Sequence, residues 1–341
     1  MNQNITRVGI DLAKNIFQVC AVNQHGKVVF NKTIRRANLL AFIANIPACE
    51  IILEACASSS YWANQFHAHG HTVKLINPAY VKPFVKTNKN DTADAEALCE
   101  AAARPTMRFV QPKNREQQDV QLIHRVRNRL VGKRTSLTNQ IRGLLAEYGI
   151  IIPEGIRYVR KQLPAILEIS ETELSPIAKT IFNQQYDELV DMDHRIDHLT
   201  QQLSTLSNQQ ARCRQFKTVF GVGPMTSTAL FSIMGDPAHY RNGREFAAFL
   251  GLVPRQVSTG GKTILRGISK RGDCQVRTLL IQGAQAALSK MQHRDDRLSR
   301  WANRLKARRG HNIATVALAN KMARICWSLA TKNTEFEFQP V

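Results

Sequence analysis

No apolar run in this chain approaches the roughly 18 to 20 residues that a membrane-spanning helix needs, so a membrane partner is not expected. The first 14 residues hold no signal-peptide apolar core and read as the lead into a strand, which makes a cytoplasmic location the expectation. Cysteine is sparse and scattered: seven residues, at positions 20, 49, 56, 99, 213, 274 and 326, none in a CxxC pair. That pattern excludes a disulfide framework and a zinc ribbon, and predicts buried thiols in a reducing compartment. Aromatic residues make up only 7% of the chain and do not interleave with basic ones. Trp62, Trp301 and Trp327 are therefore expected to pack rather than to stack on bases. Acidic residues are the last scarcity. There are 26, against 47 Lys and Arg, leaving a net charge of +21.

So large an excess of cations favours a polyanionic partner, because Lys and Arg neutralise phosphates and release condensed counterions. Nucleic acid is the first candidate. The charge is also unevenly placed. Arg115, Arg125, Arg127, Arg129, Lys133, Arg134 and Arg142 outnumber Glu116 and Asp119 on one predicted helix. A run so strongly of one sign points to phosphate contact rather than to a merely solvated face.

The chain reads as α/β followed by all-α, in three parts: 1–110, 111–210 and 211–335. Residues 7–11, 17–22 and 27–32 are strand-like, the last reached through a turn at 23–26. Helices at about 37–46 and 59–68 alternate with strands at 50–53 and 71–76, and a further helix covers 91–103. Three strands followed by alternating helices and strands is the order of a ribonuclease-H-like domain. In the middle part Ile123, Leu130, Leu137 and Leu144 recur every seven residues. Leu189, Met192, Ile196, Leu199, Leu203 and Leu206 follow a 3,4,3,4,3 spacing. These are seams of two long helices that pack on each other or on a second subunit. Residues 149–164 carry Gly and Pro and read as a loop with short helices. In the last part an apolar helix is expected over 225–234, a second helix at about 244–250, and a flexible polar stretch over 254–262. Buried helices are expected near 277–287 and 313–329, joined by the basic stretch 294–309.

Four acids stand out. Asp11 and Glu54 each close an apolar strand, and open α/β folds place their sites at such ends. Asp91 and Asp94 are three apart at a helix start and so share a face. Each alone has a bland explanation, as a strand end or a helix cap. Gathered together they would repel one another unless a cation intervened, and oxygen-only ligation suits Mg²⁺ or Mn²⁺. Such ions can stabilise both oxygens of a phosphodiester transfer. Ser258 and Thr259 precede Gly260-Gly261 among Arg255, Lys262 and Arg266. A hydroxyl there can approach a phosphate closely, although it needs activation to act as a nucleophile. Lys270-Arg271 reads as a phosphate-contacting turn. The His67, His69, His71 run straddles a helix end and a strand start, which argues against a shared zinc.

The motifs Gly9-Ile10-Asp11-Leu12-Ala13-Lys14, Asn90-Asp91-Thr92-Ala93-Asp94-Ala95, Gly221-Val222-Gly223-Pro224 and Gly251-Leu252-Val253-Pro254-Arg255-Gln256, followed by Ser258-Thr259-Gly260-Gly261-Lys262, resemble the DEDD-type insertion-sequence transposases. That family is related to the pilin-gene inverting recombinase and includes bridge-RNA-guided recombinases. The resemblance implies a RuvC-like N-terminal domain in which Asp11, Glu54, Asp91 and Asp94 bind Mg²⁺, and a coiled-coil middle supporting a homodimer or homotetramer. It further implies a C-terminal transposase domain whose Ser258 attacks DNA to form a phosphoserine link, with the carboxylates of a partner subunit completing the site. Thr259 stands where the family often has a second serine. DNA and a structured non-coding RNA are the implied partners. Gly221 and Gly223 resemble the glycines of a helix-hairpin-helix, which meets nucleic-acid backbones through exposed amides. A RuvC-like junction nuclease using water as nucleophile is the main alternative. An actin-like sugar kinase would need further glycine-rich phosphate loops, and a non-catalytic binding protein would have no use for the acids.

Overall fold

The computed structural model describes residues 4–85, 90–169 and 174–338. The chain divides into two compact units, Met1–Glu116 and Gln117–Val341. The first is built on a sheet. Strands β1 (Ile5–Asp11), β2 (Ile16–Asn23) and β3 (Val28–Arg35) form an antiparallel meander. Helix α1 (Leu39–Ala44) leads into β4 (Glu50–Glu54), and α2 (Ser59–Ala68) leads into β5 (Thr72–Ile76). A short helix α3 (Pro78–Val81), helix α4 (Asp91–Ala102) and the two-residue strand β6 (Phe109–Val110) follow. The sheet order is β3-β2-β1-β4-β5-β6, with β4 parallel to both β1 and β5. Strand β1 thus lies between β2, its antiparallel neighbour, and β4, its parallel one.

Alternation decides what each face of β1 meets. Val8 and Ile10 point into a core shared with Leu39 and Ile43 of α1 and Trp62 and Phe66 of α2. On the opposite face Gly9 lies beneath α4. A Cβ there would run into the Ala95 carbonyl oxygen and come within 2.9 Å of Cys99 Sγ. Only glycine lets the helix approach this closely. The Asn90 side chain caps α4 by accepting from the Thr92 amide. The capping role weighed for Asp91 or Asp94 therefore falls to the residue before them.

The second unit is mainly helical. Helix α5 (Arg115–Ala146) is followed by α6 (Ile156–Ile169) and α7 (Pro176–Gln209). Arg127 reaches Thr200 and Arg134 reaches Asp193, so two turns along α5 match two turns back along α7. The two long helices therefore pack antiparallel within one chain. Leu130, Leu137, Leu189, Met192, Ile196 and Leu203 of the predicted seams are buried, while Leu144 is 41% exposed and Leu145 is buried instead. The α5 seam shifts by one residue here because an α-helix drifts off a strict seven-residue repeat. The loop expected over 149–164 is a second departure. Pro164 lies inside α6, where Val159 and Leu163 are buried one turn apart. Their burial holds the helix past the proline.

Next come α8 (Ala211–Lys217), α9 (Pro224–Met234) and α10 (Gly243–Phe249). The polar stretch expected to be flexible is instead a β-hairpin, β7 (Pro254–Thr259) and β8 (Lys262–Ile268). Gly260 and Gly261 have φ of +55° and +76°, the two positive values a tight two-residue turn requires. Helices α11 (Cys274–Met291), α12 (Arg297–Arg309) and α13 (His311–Lys332) complete the unit, and a core running from Phe216 to Ala330 joins them to α9 and α10. All seven cysteines are free. Four are buried, but Cys49 is half-buried and Cys56 and Cys274 are exposed, so the expectation of buried thiols holds only in part.

Candidate active site

Strand pairing puts two acids at one edge. Ile10 of β1 is opposite Leu53 of β4, and Asp11 and Glu54 are the next residue along each strand. Asp11 is two residues beyond Gly9 and so faces the same side, toward α4. Ala95 lies over Gly9, and Arg7, two residues before it, donates to the Cys99 carbonyl. The helix therefore runs against the strand direction, and its first turn comes over Asp11. As a result Asp11, Asp91 and Asp94 offer carboxylate oxygens that all lie within 4.8 Å of one another. Asp11 and Asp94 are half-buried and Asp91 is exposed. Glu54 leaves the neighbouring strand on the face where Ile52 meets Ala97 and Leu98 of α4, but it is not one of this trio.

Three carboxylates this close favour a cation, because like charges at short range repel one another. The donors are all oxygen, which fits a hard divalent ion. The opposite end of β4 is different. There Glu50 is paired with Arg7 at 2.6 Å and with Lys74, so that acid is already neutralised by the protein. Burial works against its ionisation, yet hydrogen bonds from Lys74 and Arg7 outweigh this and hold the carboxyl below its ordinary range.

In the second unit, Ser258 stands on the exposed β7–β8 hairpin opposite Thr263. Gln256 Nε2 donates to Ser258 Oγ at 2.7 Å, and Thr263 Oγ1 lies 3.3 Å from the same oxygen. Thr259 pairs with Lys262 and points to the other face. Gln256 and Thr263 are thus neighbours of Ser258 that no motif singles out. The alternation of Gln256 and Ser258 before Gly-Gly was the signal that could have found them. Arg255, Lys262, Arg266, Lys270 and Arg271 are all exposed.

The basic residues of α5 divide. Arg125, Arg129 and Lys133 are exposed. Arg127 donates to Thr200 Oγ1 at 2.7 Å, and Arg134 pairs with Asp193 at 2.8 Å, an acid that Arg160 also holds. Those two cations serve the contact between helices. Gly221 lies against Gly283 of α11, and Gly223 is the exposed cap residue of α9. The three histidines have separate partners: His67 Nδ1 meets the His71 carbonyl, His69 Nδ1 the Gln65 carbonyl, and His71 Nε2 the Ile43 carbonyl. Trp62 is buried in the first core, and Trp327 donates to the Pro237 carbonyl.

Comparison with known sequences gives a consistent result. A family model described as a transposase matches residues 8–150, and one described as the transposase IS116/IS110/IS902 family matches residues 213–299. A "probable family 20 transposase" of Pseudomonas aeruginosa is 46% identical over 97% of this chain and 98% of its own length. The transposase for insertion sequence element IS1111A of Coxiella burnetii is 41% identical over 98% of this chain and 92% of its own. A pilin gene-inverting protein of Moraxella lacunata is 23% identical over 75% of this chain and 74% of its own.

Proposed function

Because the chain belongs to the IS116/IS110/IS902 family of transposases, we propose that it cuts and rejoins DNA at the ends of an insertion sequence through a serine-linked intermediate. The observation that carries this reading is the carboxylate trio over the edge of β1, in a chain whose relatives are transposases. The strand order β3-β2-β1-β4-β5 supports a RuvC-like reading of the first unit. Asp11, Asp91 and Asp94, with Glu54 beside them, would hold Mg²⁺ or Mn²⁺. When bound, the ion neutralises charge that builds on the phosphate during transfer.

Ser258 is proposed as the nucleophile. Its Oγ–P bond forms as one bridging P–O bond of the DNA breaks. The serine proton leaves and the departing strand oxygen gains one. Rejoining is the same exchange with a hydroxyl of another strand, so phosphodiester energy is conserved and no nucleotide cofactor is required. Gln256 supports this role because its amide fixes the serine oxygen. Arg255, Lys262 and Arg266 would offset the negative charge that develops. The α5–α7 pair would serve as the assembly region of a homodimer or homotetramer. The turn before α9 is read as a helix-hairpin-helix-like contact to a nucleic-acid backbone. A structured bridge RNA is the proposed guide.

The test is a trapping experiment. End-labelled element DNA is incubated with the protein and Mg²⁺, denatured, and examined for label on the polypeptide. The expected result is an adduct that is lost in Ser258→Ala and strongly reduced in Asp11→Asn. Cleavage without an adduct, persisting in Ser258→Ala, would show that water is the nucleophile.

A further inference from the structure

A groove of about 450 Å³ runs between the start of α10 and one face of α13, and none of the residues lining it is acidic. Its cations are Arg244, Lys321 and Arg324, and its walls include Ile325 and Trp327. Among the described residues none of these three cations has an ion-pair partner. The nearest acid in sequence, Glu245, accepts a hydrogen bond from the Arg241 amide. Lys321 and Arg324 are three apart on α13 and therefore neighbours. Burial and the charge of Arg324 together lower the pKa of Lys321. The protein thus holds like charges close together and supplies no anion between them.

The groove does not end at α13. The Lys321 ammonium lies 4.1 Å from the ring centroid of Trp301 on α12. Arg297, Trp301, Arg304 and Arg308 follow a 4,3,4 spacing and so form one stripe on that helix. Arg297, Arg304 and Arg308 are exposed. Over this stripe the helix rises about 16 Å at 1.5 Å per residue. Arg300, off the stripe, is the residue that Asp295 neutralises. The stripe and the groove therefore join through the Lys321–Trp301 contact, and the charged residues named on both are all cations.

We propose that this groove and the α12 stripe form one track for the phosphate backbone of duplex DNA. The chemistry suits it: unpaired guanidinium groups bind phosphates through paired N–H donors, and a fixed aromatic wall adds surface without charge. The choice of duplex DNA rests on the reading of the chain as a DNA-recombining enzyme. The track orients DNA and carries no sequence information of its own.

The test uses the full-length protein without Mg²⁺, and a fluorescently labelled 30-base-pair duplex whose anisotropy is followed across salt concentrations. One variant combines Arg244→Gln, Lys321→Gln and Arg324→Gln. A second combines Arg304→Gln and Arg308→Gln, which alters only exposed side chains and so keeps the fold. Each should weaken duplex binding about tenfold or more. The log–log salt slope should fall by about 0.9 for every phosphate that is no longer neutralised. An unchanged slope in the second variant, with circular dichroism showing native helix content, overturns the track. So does a loss of affinity confined to a single-stranded RNA probe of equal length. Because binding is read without cleavage, failure here leaves the covalent adduct of the trapping experiment untouched, and failure there leaves this track standing.

Discussion

At the scale of single residues, exposure separates a polar group on the hairpin surface from one enclosed in the helical core. Ser258 is exposed, and its oxygen is already met by two polar neighbours, Gln256 and Thr263. His124 is the reverse case. It is 2% exposed, with Nε2 at 2.9 Å from Thr228 Oγ1 and Nδ1 at 3.3 Å from Gln275 Nε2. Burial, aided by the charge of Arg127, pushes its pKa down to about 4. A depressed histidine pKa means the fold favours the neutral ring. Its contribution is complete above the unfolded value near 6.5 and is lost as pH falls toward 4. At pH 4 the penalty is about 3 kcal/mol. Urea unfolding of the wild type should lose stability between pH 6.5 and 4 by this order more than His124→Gln does. Equal pH dependence in both would sink the assignment.

At the scale of elements, the candidate metal centre is a product of one close approach. Because α4 lies directly on Gly9, its first turn brings Asp91 and Asp94 over Asp11. Gly9→Ala would force the helix away from the strand, at an overpacking cost of about 1–3 kcal/mol. The expected result is a lower melting temperature together with weaker Mn²⁺ binding by calorimetry. A variant that melts lower but binds Mn²⁺ as the wild type does would separate the glycine from the site. The acids themselves were legible in the sequence, since strand-end and helix-start positions follow from hydrophobic patterning. Their mutual distance was not, because no pattern reports how closely a helix rides on a sheet. The β7–β8 hairpin was misread for a related reason. Its strands bury neither face, so the apolar alternation that marks a strand is weak, and only Gly-Gly signals the turn. The short helices expected over 149–164 are one helix that runs past Pro164, a breaker by propensity, because tertiary burial of Val159 and Leu163 overrides it.

At the scale of the whole molecule, the net charge of +21 was the plainest signal and the least specific. It pointed to a phosphate partner without locating the surface. The structure sorts the cations by what they already hold. Arg7, Arg134, Arg160 and Arg300 are bound to acids, whereas Arg244, Lys321 and Arg324 are not. Binding to duplex DNA should therefore be steeply salt-dependent. If about six phosphates are neutralised, the log–log slope is near −5, and affinity falls about 10³-fold between 50 and 200 mM salt. A slope shallower than about −2 would mean that most of the excess charge is idle.

The hairpin carries one more consequence. In a sheet with a buried face, the hydrophobic pattern fixes which residues stand opposite one another. This ribbon has no such face, and Val257, Ile264 and Leu265 are 41%, 55% and 64% exposed. Its register is left to the length of the turn. One residue added between Thr259 and Lys262 would slide the strands by a single step and set Thr259, not Ser258, beside Thr263. Two glycines thus act as a ruler: the spacing they impose selects which of two adjacent hydroxyls stands opposite Thr263.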